Sequence, residues 1–236
     1  MLDAPIALLP GLLCDATVWQ AQSQALGAER CVVPRYGDLH SITGMAERVL
    51  QQISAPRFAV VGHSMGGRVA LELMRLAPER VLRLALLDTG MDPLPAGEAG
   101  EAERSKRLAL LAQARTQGML AMGQAWARGM VHPAQLDGPV FEAILTMIER
   151  QTPELFEAQI QALLGRPDAR PVLAGLRCPT LIACGRQDAW SPLARHEQMC
   201  ALAPVARLAV IEDSGHMCTM EQPAAVSALL RGWLQD

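Results

Sequence analysis

The chain has 236 residues, 50% of them hydrophobic and 19% charged, with a formal net charge of −3. That composition supplies a large core and excludes a disordered chain, and it offers no broad basic field for nucleic acid or anionic lipid. Aromatic residues, at 3%, are too few for a base-stacking platform.

No basic residue precedes the first apolar run, and Asp3 stands in front of it, so no signal peptide is predicted. No apolar stretch reaches the roughly 18 residues of a membrane span. Cys14, Cys31, Cys178, Cys184, Cys200 and Cys218 are scattered without a CxxC pair. They read as reduced thiols rather than a disulfide frame or a zinc site, which predicts a cytoplasmic location.

Short runs rich in Val, Ile and Leu predict strands over residues 5–9, 30–34, 58–62, 82–88, 180–185 and 206–211. They are apolar on both faces, as strands of a parallel sheet covered on both sides are. Amphipathic stretches over 16–26, 41–53, 65–77, 192–202 and 222–234 predict helices between them. Ser41 is placed as an N-cap and Pro78 as a helix stop. The alternation predicts an α/β fold with a mostly parallel, doubly wound sheet of about six strands.

One interval breaks the alternation. Between Asp88 and Thr180 the pattern is helical, over 98–117, 119–130, 133–150 and 153–164. An all-helical cap is therefore predicted over residues 93–170, inserted in an α/β core formed by 1–92 and 171–236.

The strongest motif is Gly62-His63-Ser64-Met65-Gly66, following one predicted strand and opening a helix. This G-x-S-x-G stands in the strand–turn–helix context its chemistry requires. A tight turn lifts the serine hydroxyl above the sheet, at a helix N-terminus that favours developing negative charge. Ser64 is the candidate nucleophile. The segment lacks the lysine of a Walker A loop and the spacing of a dinucleotide fingerprint.

A serine hydroxyl needs a base. Of five histidines, His216 follows the last predicted strand, at the same sheet edge as Ser64. Asp188, in the loop after strand 180–185, is the candidate carboxylate that orients His216. Asp88 is the alternative acid, and Asp213 lies near His216 in sequence only. Oxyanion donors are assigned to the backbone N–H groups of Met65 and Leu12, with Leu13 open as the alternative to Leu12.

The GHSMGG, GRQD and SGHM segments together resemble the α/β-hydrolase superfamily, and Ser64, Asp188 and His216 stand in its chain order. The resemblance implies a capped serine hydrolase of esterase type that lacks the fold's usual opening hairpin. It calls for no cofactor and no metal. Two departures stand out, the missing opening hairpin and Pro10-Gly11 in place of the common His-Gly, while Ser64 sets the chain apart from related dehalogenases and epoxide hydrolases, which resemble it in fold but use an aspartate nucleophile.

The cap segment is rich in Leu and Met, which predicts an apolar roof over a small ester-like substrate. Predicted substrate contacts are Leu13, Trp19, Met119, Met122, Trp126, Trp190 and Met217. Arg104, Arg107, Arg115 and Arg128 read as a solvated helix face. The predicted function is a carboxylesterase acting through an acyl-enzyme, as a monomer or homodimer, without nucleic acid or membrane partners. A thioesterase, a lactonase and a C–C bond hydrolase or lyase fit the same constellation. A binding receptor of the same fold is the reading of another class.

Overall fold

The computed structural model describes residues 4–235; residues 1–3 and 236, counted above with the core, lie outside them. The strands are β1 (Ile6–Leu9), β2 (Cys31–Val32), β3 (Phe58–His63), β4 (Val81–Leu87), β5 (Thr180–Gly185) and β6 (Ala206–Ile211). They pair in the order β2-β1-β3-β4-β5-β6, every pair parallel. β1, β3 and β5 are buried along their whole length, as their two-faced apolar sequences require. β6 is only half-buried because it closes one edge of the sheet. β2, at the other edge, is two residues long rather than five; a 3-10 turn takes Ala28–Arg30, and Pro34 lies just beyond the strand.

The helices around the sheet are α1 (Gln20–Leu26), α2 (Ile42–Gln52) and α3 (Met65–Leu76). Between β4 and β5 come α4 (Glu98–Gln117), α5 (Met119–Trp126), α6 (Pro139–Glu149), α7 (Pro153–Leu164) and α8 (Arg170–Ala174). The chain closes with α9 (Leu193–Leu202), α10 (Cys218–Glu221) and α11 (Pro223–Gln235). Ser41 caps α2 by accepting from the Gly44 N–H at 3.1 Å, and α3 ends before Pro78, as expected.

The predicted helix over 133–150 is broken. A 3-10 turn covers Pro133–Gln135, and α6 starts afresh at Pro139 behind the Gly138 N-cap. Proline suits a first helical position because its missing N–H would have no partner there. The short helices α8 and α10 are additions to the sequence reading; α8 packs on α3 and α9, in the layer beside the sheet.

Connection geometry fixes where a site can form. α2, α3, α8 and α9 pack in succession on one face of the sheet, whereas α1 packs on α11 on the other. The chain leaves β1 toward one edge and β3 toward the other. A crevice therefore opens at the carboxyl ends of β1 and β3, between the two diverging loops. Gly11 and Leu12 stand on one side of it and Ser64 on the other.

Close backbone contacts seal this end of the sheet. A Cβ on Gly66 would collide with the Leu9 carbonyl, and one on Gly185 with the carbonyls of Gly215 and Ser214. Gly232, inside α11, faces open space. Gly185→Ala is therefore expected to lose about 3 kcal/mol by forcing two backbones apart. Gly232→Ala is expected to gain about 1 kcal/mol through helix propensity. Urea denaturation of both variants beside the parent chain measures the two signs.

Candidate active site

Ser64 occupies the turn between β3 and α3 with φ 54° and ψ −117°, a conformation that L residues rarely adopt. Its surroundings hold it there. The Ser64 N–H donates to the Leu87 carbonyl at 2.9 Å, and the Thr89 hydroxyl donates to the Ser64 carbonyl at 2.6 Å. Gly62 has room only for hydrogen, since a Cβ would meet the Gly66 carbonyl.

His216 follows β6, and its Nε2 lies 2.8 Å from the Ser64 Oγ. On the other side its Nδ1 lies 2.8 Å from the Asp188 Oδ2. The second Asp188 oxygen accepts from the Trp190 and Ser191 N–H groups, each at 2.8 Å. This row can move the Ser64 proton onto His216 while Asp188 balances the charge.

The two rival acids are separated by their surroundings. Asp88 is also buried, but its Oδ1 accepts from the Gly185 N–H at 2.9 Å and its Oδ2 stands 3.6 Å from His63 Nε2. Burial, reinforced by the nearby Asp188 charge, pushes the Asp88 pKa up to about 8. Burial opposes the charge on Asp188 too, but His216 and the two N–H donors outweigh it and hold its pKa below the ordinary value. Asp213 is exposed, at the turn after β6.

Burial alone would lower the His216 pKa, but the Asp188 charge and hydrogen bond reverse that and raise it. His63 lies beside it, its Nε2 2.7 Å from the His216 carbonyl, and burial lowers its pKa to about 4. It stands as a neutral prop under the His216 backbone.

The loop carrying His216 hangs on a carboxylate the sequence reading missed. Glu221 Oε1 accepts from the Gly215 and Met217 N–H groups at 3.0 and 3.1 Å. Its Oε2 accepts from the His132 N–H at 2.6 Å. The His216 N–H donates to the Met130 carbonyl at 2.6 Å. The Glu221 spacing, five residues after His216, gave no motif to find it by.

Leu12 and Met65 both border the cavity above Ser64, and neither N–H has a partner among the described residues. The Leu13 N–H is occupied, donating to the Gln159 Oε1 at 2.8 Å. Leu13 itself is fully buried at φ 58°.

The cavity has a volume of about 720 Å³. Of the residues read as substrate contacts, Trp126 and Trp190 border it, their rings 5.1 Å apart, with Trp190 5.2 Å from the His216 ring. The other predicted contacts do not reach it. Leu13, Trp19, Met119, Met122 and Met217 are buried in the core instead. Trp19 stacks edge-on behind His63, at 6.3 Å. The apolar faces of the inserted helices thus pack inward, and the face above Ser64 carries Lys106, Arg107 and Leu110.

From below, Arg68 and Arg195 border the same space, and Arg166 closes it from the segment after α7. Arg68 was within reach of the sequence reading: four residues after Ser64 is one helical turn along α3. Among the described residues no cluster of three potential metal ligands occurs, and no helix is long and apolar enough to cross a membrane.

Residues 6–229 match the family model described as the alpha/beta hydrolase family. The chain is 30% identical over 249 residues to the pimeloyl acyl-carrier protein methyl ester esterase of Aromatoleum aromaticum, across 95% of this chain and 96% of that protein. It is 28% identical to the dihydrolipoyllysine-residue acetyltransferase component of the acetoin cleaving system of Pseudomonas putida. That match covers 98% of this chain but only 63% of the relative, so the chain spans less than two thirds of its length. A thermophilic esterase from Thermogutta terrifontis superposes with a TM-score of 0.87 at 28% identity, over 98% of this chain and 89% of that one.

The charge arrangement has a measurable sign. Because Asp188 favours the imidazolium, His216 is expected to keep its proton to a pH above the ordinary 6.5. Asp188→Asn removes the largest charge that offsets burial, so the midpoint is expected to fall. An NMR titration of the histidine ring signals in both proteins reads the shift and its direction.

Proposed function

Since the chain belongs to the alpha/beta hydrolase family, we propose that it is a serine esterase whose nucleophile is Ser64, with His216 as base and Asp188 as the orienting acid. The observation that carries the proposal is the unbroken row from Ser64 Oγ through the His216 ring to Asp188, with both contacts at 2.8 Å. The esterase names of the Aromatoleum relative and the Thermogutta structure support an ester as the bond cleaved.

His216 Nε2 takes the Ser64 proton as Oγ attacks the ester carbonyl carbon. The carbonyl oxygen becomes an oxyanion, held by the Leu12 and Met65 N–H groups, with the positive end of the α3 dipole behind it. The tetrahedral centre collapses and expels the alkoxide, which takes the proton from His216. A water molecule then gives its proton to His216 and attacks the acyl-enzyme. Collapse of this second centre releases the acid and returns the proton to Ser64.

Residues 93–170 act as a cap that roofs this chemistry; the cavity between α4, α5 and the sheet edge supports that role. The six cysteines, all unpaired, support the cytoplasm as the site of action.

Ser64→Ala is expected to lower p-nitrophenyl butyrate turnover by about 10⁴-fold or more and to abolish labelling by a fluorophosphonate probe. Persistent labelling in that variant would refute Ser64. Asp188→Asn is expected to lose about 10⁴-fold, with Asp88→Asn far milder. The reverse ranking would move the acid to Asp88.

A further inference from the structure

The cavity is not electrically balanced. Five cations border it, Arg68, Lys106, Arg107, Arg166 and Arg195, against the carboxyl groups of Asp88, Asp92 and Glu103. Glu103 is shared by two of the cations. It accepts from Arg166 through two bonds, at 2.7 and 2.8 Å, and from Arg107 at 2.9 Å. The Asp92 carboxylate is 4.0 Å from Arg170, which lies outside the cavity. Asp88 sits at the floor beside Gly185 with its pKa near 8, so at neutral pH it contributes little negative charge.

Arg68, Arg195 and Lys106 are left without a carboxylate in ion-pair range among the described residues. The two guanidinium groups donate to backbone: Arg68 Nη1 to the Asp92 carbonyl at 2.8 Å, and Arg195 Nη1 to the Trp190 carbonyl at 3.1 Å. The two heads converge on Gly90. A side chain there would begin 3.0 Å from Arg68 Nη2 and 3.5 Å from Arg195 Nη1. Burial and the charges of Arg166 and Arg195, offset only in part by Glu103, depress the Arg68 pKa to about 9. Arg68 and Arg195 are half-buried, so water screens their mutual repulsion only in part, and an entering anion relieves it.

Resting on the esterase reading, we propose that Arg68, Arg195 and Lys106 form an oxyanion subsite, so that the preferred ester carries a second, negatively charged group. Arg68 stands one helical turn beyond Ser64, roughly 6 Å along the axis. The charged group therefore lies a few bonds from the ester carbonyl. Planar guanidinium forks suit a carboxylate or a phosphate, the two chemistries that fill such a subsite.

The test compares monomethyl adipate with methyl hexanoate, esters of equal acyl length that differ by the terminal carboxylate. The kcat/KM ratio is expected to favour the anionic ester by about 10- to 100-fold. It is expected to collapse in Arg68→Met and Arg195→Met and to fall in Lys106→Met, while Arg128→Met, at an exposed site outside the cavity, keeps it. Arg195 and Lys106 read the same subsite if loss of Arg68 impairs folding.

Thermal shifts of the Ser64→Ala protein with adipate or inorganic phosphate give a readout free of turnover. A larger shift with adipate identifies a carboxylate, and a larger shift with phosphate identifies a phosphate-bearing ester. Equal ratios for the two esters with no shift from either anion overturn the subsite. Anion-dependent shifts without turnover of any ester keep the subsite and refute the esterase reading.

Discussion

The structure depends on how closely the turn after β3 approaches its neighbours. α3 begins against the Leu9 carbonyl, and only a glycine at position 66 allows that contact. Gly67 is equally confined, because a Cβ there would strike the Thr89 side chain. With both helix residues reduced to backbone, Ser64 is driven into its left-handed conformation, and hydrogen bonds to the β4 end hold it. That placement puts Ser64 opposite the loop after β1, where the Leu12 N–H is free. The strain at one residue is thus balanced by contacts from three strands.

Two buried carboxyl groups near His216 show how surroundings set the charge of identical side chains. Asp188 and Asp88 both follow strands at the carboxyl edge. Asp188 accepts two N–H bonds and an imidazole, which keeps it ionised against burial. Asp88 accepts one N–H and faces a histidine that burial holds neutral, so the more distant His216 charge does not outweigh burial and the Asp188 charge.

The alternating strands and the Ser64 turn were legible in the sequence because both depend on local pattern: two-faced apolar runs and glycines at fixed spacing. Loop position and chain order singled out Asp188 and His216 as candidates, with Asp88 left as the alternative acid. The substrate contacts were not legible in this way. Met119 and Met122 sit at helical spacings that suit a core and a pocket equally, and only the packing of α5 on α4 and α6 turns them inward. Arg166 and Arg195 come from segments far from Ser64 in the chain, and nothing in their local pattern distinguishes a cavity-facing arginine from a solvated one. Glu221 escaped for a similar reason, since its partners are backbone N–H groups that leave no trace in side-chain patterns.

The inserted helices reach the site through main-chain atoms. The Met130 carbonyl receives the His216 N–H, and the His132 N–H reaches the Glu221 carboxylate that also steadies residues 215 and 217. The insertion is therefore not a detachable module. Swapping it for a helical segment of another relative would discard the backbone anchor of the His216 loop along with the cavity wall that α4 and α5 form. Side chains of α4 and α5 can change without touching these backbone contacts, whereas a change in the path of residues 130–132 moves the histidine loop with it.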